Sequence, residues 1–299
     1  MKIFVTGATG YIGGSVADGL ISAGHEVLGL VRSEARASEA RACGIEPLIG
    51  TLDDAALLSQ AAGEADAVVN AANADHRGAA EALLAALAGS GKLFLHTSGS
   101  SIVGNRAGGE ASDEVFDETT PLKPSPARAA RVALDRDILA AADNGVRAVI
   151  ICPSLIYGLG RGAGLHSAQV PWLIELARKL GVAKHIGSGG NIWSNVHIED
   201  LVSLYLLAFE RAPAGAFYYA ERGENSMREV CQAISRMLGF GGDIKSMTIE
   251  EAAAEWGEGP ANDTMGSNSR VRAERARQEL KWMAKAPSLI DEIERGCYA

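Results

Sequence analysis

The chain predicts an α/β fold, a doubly wound parallel sheet with a smaller C-terminal lobe, from three observations. The opening run Lys2-Ile-Phe-Val-Thr-Gly7-Ala-Thr-Gly10-Tyr-Ile-Gly13 passes from a buried-strand sequence straight into spaced glycines. Short apolar runs then alternate with stretches of helical spacing as far as residue 152. That alternation requires a parallel sheet covered on both faces, with right-handed crossovers. Finally, 299 residues with 47% apolar and 22% charged side chains can bury a substantial core.

Taken in order, Ile3, Phe4 and Val5 read as a buried strand and residues 11–23 as a helix. A strand at 26–31 is followed by a helical stretch at 33–43 and a short strand at 47–49. Helix 54–62, strand 67–70, helix 78–88 and strand 93–97 continue the pattern. A long loop carries glycines and acids to Pro121, Pro124 and Pro126, then helix 127–142 leads into strand 148–152. Past residue 155 the pattern loosens: helices are expected at 168–180, 200–211, 227–238, 270–280 and 287–295, with a strand-like run at 217–220. Ser226 and Glu229 have the spacing of a capping box at the third of these helices. Residues 1–155 are thus expected to form a nucleotide-binding domain whose sheet is completed by later segments. Residues 156–299 are expected to form a dependent lobe over the carboxyl ends of the strands.

Composition narrows the functional classes. A formal net charge of −9 argues against a nucleic-acid partner, because phosphates demand a basic face. No apolar run approaches the roughly 18 residues that span a bilayer, and no leader-like segment precedes the first strand, so a cytoplasmic location off the membrane is expected. Cys43, Cys152, Cys231 and Cys297 are scattered, as reduced thiols would be, and no ligand spacing suggests a metal.

The glycines carry the first functional reading. A strand that turns into a helix through Gly7, Gly10 and Gly13 brings bare N–H groups up to a pyrophosphate at the helix N-terminus. Thr9, Tyr11 and Ile12 lie in the same loop and join the expected dinucleotide site. At the end of the second strand the chain reads Leu30-Val31-Arg32-Ser33, with no carboxylate to hold a ribose diol. Arg32 can grip a 2′-phosphate and Ser33 can add a hydrogen bond, which favours NADP(H) while leaving NAD(H) open. Thr51 and Leu52 are expected beside the adenine, and Asn70, Ala71 and Ala72 along the nicotinamide half.

With these residues in view the chain resembles the extended short-chain dehydrogenase/reductases, whose nucleotide domain is a Rossmann fold. Thr6-Gly7-Ala-Thr-Gly10-Tyr-Ile-Gly13 is similar to that family's glycine motif. Leu95-His-Thr-Ser98-Gly-Ser100, Cys152-Pro153-Ser154-Leu-Ile-Tyr157-Gly158 and Asn195-Val-His197-Ile-Glu-Asp200 follow in the expected order, covering about two thirds of the chain. The resemblance implies an oxidoreductase, epimerase or dehydratase-like enzyme acting on a small organic carbonyl or alcohol, or on a sugar nucleotide. It also places Pro153 against the cofactor and makes a homodimer possible.

One part of the family pattern is missing. Its chemistry rests on a tyrosine and lysine spaced Tyr-x-x-x-Lys, where the ammonium lowers the phenol's pKa from one helix turn away. Here those positions hold Ala127 and Arg131. Arg131 can still bind ribose and offer charge, but an always-protonated guanidinium relays protons poorly. The family's hydroxyl position falls on Gly99, leaving Ser98 and Ser100 as candidates to hold a substrate oxygen. Tyr11 and Tyr157 read as structural aromatics, His96 as a core histidine, and Asp200 as a brace. His166 is expected in a substrate-facing loop, and the acidic run Asp113, Glu114, Asp117, Glu118 at a solvated surface. A second reading keeps the dinucleotide site but not catalysis: a cofactor-binding sensor or regulator.

Overall fold

The computed structural model describes residues 1–299. Twelve strands run in chain order: β1 Lys2–Thr6, β2 Glu26–Val31, β3 Glu46–Ile49, β4 Ala67–Asn70, β5 Leu93–Thr97, β6 Arg147–Pro153, β7 Leu155–Tyr157, β8 Ala183–Ile186, β9 Ile192–His197, β10 Ala216–Ala220, β11 Gly223–Ser226 and β12 Ile244–Met247. Seven of them form one parallel sheet in the order β10-β6-β5-β4-β1-β2-β3. The interior strand β1 lies between β4 and β2, with Lys2 opposite Glu26 and Ile3 opposite Ala67. Its residues Ile3, Phe4 and Val5 are wholly buried, as a strand covered on both faces requires. The strand order reverses between β1 and β4, which opens a crevice at their carboxyl ends.

Helices α1 Tyr11–Ser22, α2 Glu34–Ala42, α3 Ala55–Glu64, α4 Arg77–Leu87 and α5 Ala129–Ala140 wind around this sheet, followed by α6 Gln169–Leu180, α7 Ile198–Arg211, α8 Met227–Met237 and α9 Ile249–Trp256. One face packs Val16, Leu20, Leu201, Tyr205 and Trp282 onto the strands. The other packs Leu58, Leu83, Phe94, Leu134 and Ile138. Gly19 lets α1 and α7 approach closely, since a Cβ there would lie 2.8 Å from Val202 Cγ1. A second core joins α6, α8, β8, β12 and the terminal helix Leu289–Arg295. α7, β10 and the helix at Glu274–Leu280 all return to the large sheet, so chain beyond residue 155 belongs to both bodies.

Several elements depart from the sequence expectation. The helix expected from 127 begins at Ala129, because residues 125–128 close a turn through Arg128 N to Ser125 O at 2.9 Å. It ends at Ala140 and tightens into a 3₁₀ turn, Ala141–Asn144. Residues 270–273, expected as helix, are extended: Phe116 N donates to Arg270 O at 2.9 Å and Arg272 N returns to Phe116 O at 2.8 Å. The paired β8 and β12, and α9 with its Thr248–Glu251 capping box, were not expected.

Candidate cofactor and active site

The glycine loop is a tight crossing over β4. Gly7 has a φ of +73°, and a Cβ there would lie 2.9 Å from the Ala71 and Ala72 backbone. A Cβ on Gly13 would lie 2.3 Å from Gly7 O, so only hydrogen fits where α1 passes the loop. Gly10 is the N-cap of α1 and no side chain caps it, so the first N–H groups of the helix face the crevice free.

A cleft of about 760 Å³ runs along these groups. One end is walled by Leu30, Val31, Arg32, Arg36, Thr51 and Leu52. Its middle holds Gly7, Thr9, Gly10, Tyr11, Ile12 and Gly13, and its far end Ala71, Ala72, Asn73, Ser154, Ile156 and residues 166–169. Length, glycine cradle and uncapped helix fit an extended dinucleotide. Arg32 is exposed and free of any acidic partner, whereas its neighbour Arg36 is engaged by Glu39 at 2.6 Å. Ser33 caps α2, accepting from Arg36 N at 3.3 Å.

A second glycine-rich loop, residues 158–164, lies against the first. A Cβ on Gly164 would sit 2.5 Å from Gly10 C, and one on Gly160 2.7 Å from the Tyr11 ring. Tyr11 donates its hydroxyl to Gly158 O at 2.9 Å, and Arg161 N donates to Ser15 Oγ at 2.9 Å. Arg161 also pairs with Glu199 at 2.9 Å. This strap delivers His166, Ser167, Ala168 and Gln169 to the cleft wall.

Beneath the far end lies a polar group centred on α5. Arg131 Nε donates to Asp75 Oδ1 at 2.7 Å, a second N–H of the same guanidinium reaches Oδ2, and Nη1 lies 3.4 Å from Ser101 Oγ. The bond from Arg131 holds the Asp75 carboxyl below its ordinary pKa. Ala127 is exposed and carries no proton donor. Ser98 Oγ donates to Asp135 Oδ2 at 2.7 Å, and Ser100 Oγ is joined to Ser269 Oγ at 2.8 Å. Both serines are therefore buried on protein partners. None of Ser98, Ser100, Ser101, Asp75 and Arg131 lines the cleft itself; Asn73, which does, accepts from Asp75 N at 2.9 Å and joins the cleft to this group. Asn70 accepts from Thr6 Oγ1 at 2.6 Å and donates to His96 Nδ1 at 3.0 Å. Burial raises Asp135 to about 6 and lowers His96 to about 4.

Residues 3–218 match the NAD dependent epimerase/dehydratase family. The chain belongs to that family. It is 35% identical over 336 residues to the oxidase ucsJ of an Acremonium species, covering 98% of this chain and 95% of that one. It is 30% identical to the 2-alkyl-3-oxoalkanoate reductase of Stenotrophomonas maltophilia, covering 84% of this chain and 80% of that one. The dTDP-glucose 4,6-dehydratase of Bacillus anthracis, solved in complex with NAD, superposes with a TM-score of 0.77 at 20% identity. That alignment covers 98% of this chain and 95% of the dehydratase. This epimerase/dehydratase-family protein is accordingly an NAD(P)-dependent enzyme of oxidoreductase or epimerase-like type on an extended short-chain dehydrogenase/reductase fold.

The remaining expected residues of this family member are distributed as follows. Pro153 ends β6 and is buried, while the next residue, Ser154, reaches the cleft. Tyr157 donates to Pro287 O at 2.8 Å, and Asp200 accepts from Lys285 N at 2.7 Å, so both tie down the C-terminal segment. Of the acidic run, Asp113 and Glu114 are exposed. Glu118 instead turns inward and accepts from Tyr219 N at 3.0 Å and Arg275 N at 3.3 Å. Of the residues lining the cleft, sequence reasoning missed Asn73, Ser154 and Gln169, and it missed Asp75 and Ser101 as the partners of Arg131 outside it. Ser154 and Asn73 were within reach of it, since each closely follows the carboxyl end of a sheet strand. No cluster of His, Cys, Asp or Glu has a metal-holding arrangement, and no helix is long and apolar enough to cross a membrane.

Proposed function

We propose that this protein is an NADP(H)-dependent reductase of a small organic ketone. The observation that carries this reading is the chemistry of the groups below the far end of the cleft. An epimerase or dehydratase cycle begins by removing a hydroxyl proton, and so needs a base such as a phenolate. Ala127 supplies none, and Asp75 is a weak base because Arg131 occupies both its oxygens. Arg131 and Ser101 are donors. Donors stabilise negative charge growing on a carbonyl oxygen, which is what hydride addition to a ketone requires. The nicotinamide supplies the hydride. In this reading Arg131 and Ser101 hold the ketone oxygen, and water provides the proton that completes the alcohol. Arg32, unpaired at the adenosine end, supports NADP(H) over NAD(H). The similarity to a 2-alkyl-3-oxoalkanoate reductase supports a ketone substrate.

The test is NADPH consumption with a panel of ketones, with the alcohol product identified by mass spectrometry. Turnover that falls sharply in Ser101→Ala and Arg131→Met supports the assignment. Absence of any reduction with either cofactor, despite tight dinucleotide binding, would return the protein to the sensor reading.

A further inference from the structure

The far end of the cleft offers few groups that can move a proton. Ser154 Oγ donates to Ala220 O at 2.9 Å, and Ser167 Oγ is joined to the Tyr298 hydroxyl at 3.3 Å. Asn73 and Gln169 carry amides, which hydrogen-bond but do not titrate. Tyr11 is committed to Gly158 O, and burial pushes its phenol above the ordinary tyrosine value. That leaves His166, the one residue lining this end whose type ordinarily titrates between pH 5 and 8.

The setting of His166 differs from that of the other histidines. Of the six in the chain it is the only exposed one. His76 and His197 cap helices, and His96 is bonded to Asn70. The His166 imidazole has no such partner, yet its backbone is anchored on both sides. Leu165 O accepts from Gly160 N at 2.8 Å, and Ala168 O accepts from Trp172 N at 3.0 Å as α6 begins. The result is a free ring on a fixed loop, open to the cleft and to solvent.

We propose that His166 is the proton source for the reduction: the water that completes the alcohol draws its proton from this imidazolium. The inference rests on the reductase reading and deepens it. Hydride addition forms the new C–H bond and converts the carbonyl π pair into an alkoxide lone pair. Water gives the alkoxide a proton, the imidazolium restores that water, and bulk solvent reprotonates the imidazole. A general acid works best when its pKa lies near the working pH, and it can act through one water. Arg131 cannot take this part, because a guanidinium keeps its proton.

Two measurements test this on the full chain. The first is labelling with diethyl pyrocarbonate, located by mass spectrometry. His166 should react fastest of the six histidines, and NADP⁺ should slow its labelling several-fold. Labelling of His166 that NADP⁺ leaves unchanged puts the ring outside the cofactor cleft and overturns the inference. The second is NADPH-dependent reduction of the ketone panel by wild type and His166→Ala. The variant should lose roughly 100-fold in kcat, the lower range for general acid catalysis, while its NADPH binding stays near that of wild type. Added imidazole should restore part of the loss. An undiminished kcat, or a loss that imidazole leaves unrestored, overturns the inference and leaves the reductase reading standing. Protection of His166 by NADP⁺ with no ketone reduced by wild type overturns the reductase reading, and the proton step with it.

Discussion

His96 Nε2 faces Asp135 Oδ1 across 3.9 Å, and neither atom has a hydrogen-bond partner. Both side chains are almost fully buried, between β5 and α5. Each is shifted toward its neutral form by desolvation, in opposite directions along the pH axis. Asp135 rises from 3.8 to about 6, so its contribution to stability is complete below 3.8 and lost as pH rises through about 6. His96 falls from 6.5 to about 4, so its contribution is complete above 6.5 and lost as pH falls through about 4. The two slopes oppose each other between about pH 4 and 6. Denaturant unfolding across that window should show Asp135→Asn gaining stability with rising pH relative to wild type, and His96→Asn losing it. Parallel curves for all three proteins would refute the assignment.

Under the proposed function, Arg32 sets the cofactor choice. Arg32→Ala should weaken NADPH binding by roughly 1.5–3 kcal/mol, the value of a charged hydrogen bond, and barely alter NADH binding. Fluorescence titration with both reduced cofactors measures this, and equal losses would remove Arg32 from the 2′-phosphate.

The strap over the glycine loop predicts a contrast between two glycines. Gly164→Ala forces a Cβ to 2.5 Å from Gly10 C and should cost about 1–3 kcal/mol, with weaker dinucleotide binding. Gly63→Ala, within α3 and with nothing inside 4 Å of its Cβ, should instead stabilise by about 0.4–1 kcal/mol. Thermal melts with and without NADPH separate the two effects.

Position 127 can be tested by adding the missing phenol. Arg131→Lys alone should lower ketone reduction, because an ammonium cannot hold both Asp75 oxygens. Adding Ala127→Tyr should bring kcat back up by providing a proton donor from the turn that precedes α5. A double variant no faster than the single one places residue 127 away from the reacting oxygen.

The large sheet was readable because each central strand is an uninterrupted apolar run, and the glycine loop because its spacing reflects local geometry. What escaped depended on distant partners. Gly160 and Gly164 look like ordinary loop residues until Gly10 and Tyr11 are seen against them. Ser98 and Ser100 are plausible substrate contacts in sequence, yet Asp135 and Ser269 engage them, and the serine beside Arg131 is Ser101. Residues 270–273 have helical composition, but Phe116 and Ser194 draw them into an extended run. Arg131 was singled out from the family's spacing; Asp75, which fixes its direction, lies 56 positions earlier.

The place of β10 has a consequence for biosynthesis. This last sheet strand pairs with β6 through Ala216–Ala220, and Glu118 covers the Tyr219 N–H on its outer side. While the chain is being translated, β6 is complete well before the strand that protects it. Until residue 220 leaves the ribosome, the nascent sheet keeps a row of unpaired peptide groups on its flank, open to any neighbouring chain. A product that terminates before Ala216 would carry that adhesive edge permanently, which makes β10 a safeguard against aggregation as well as a member of the sheet.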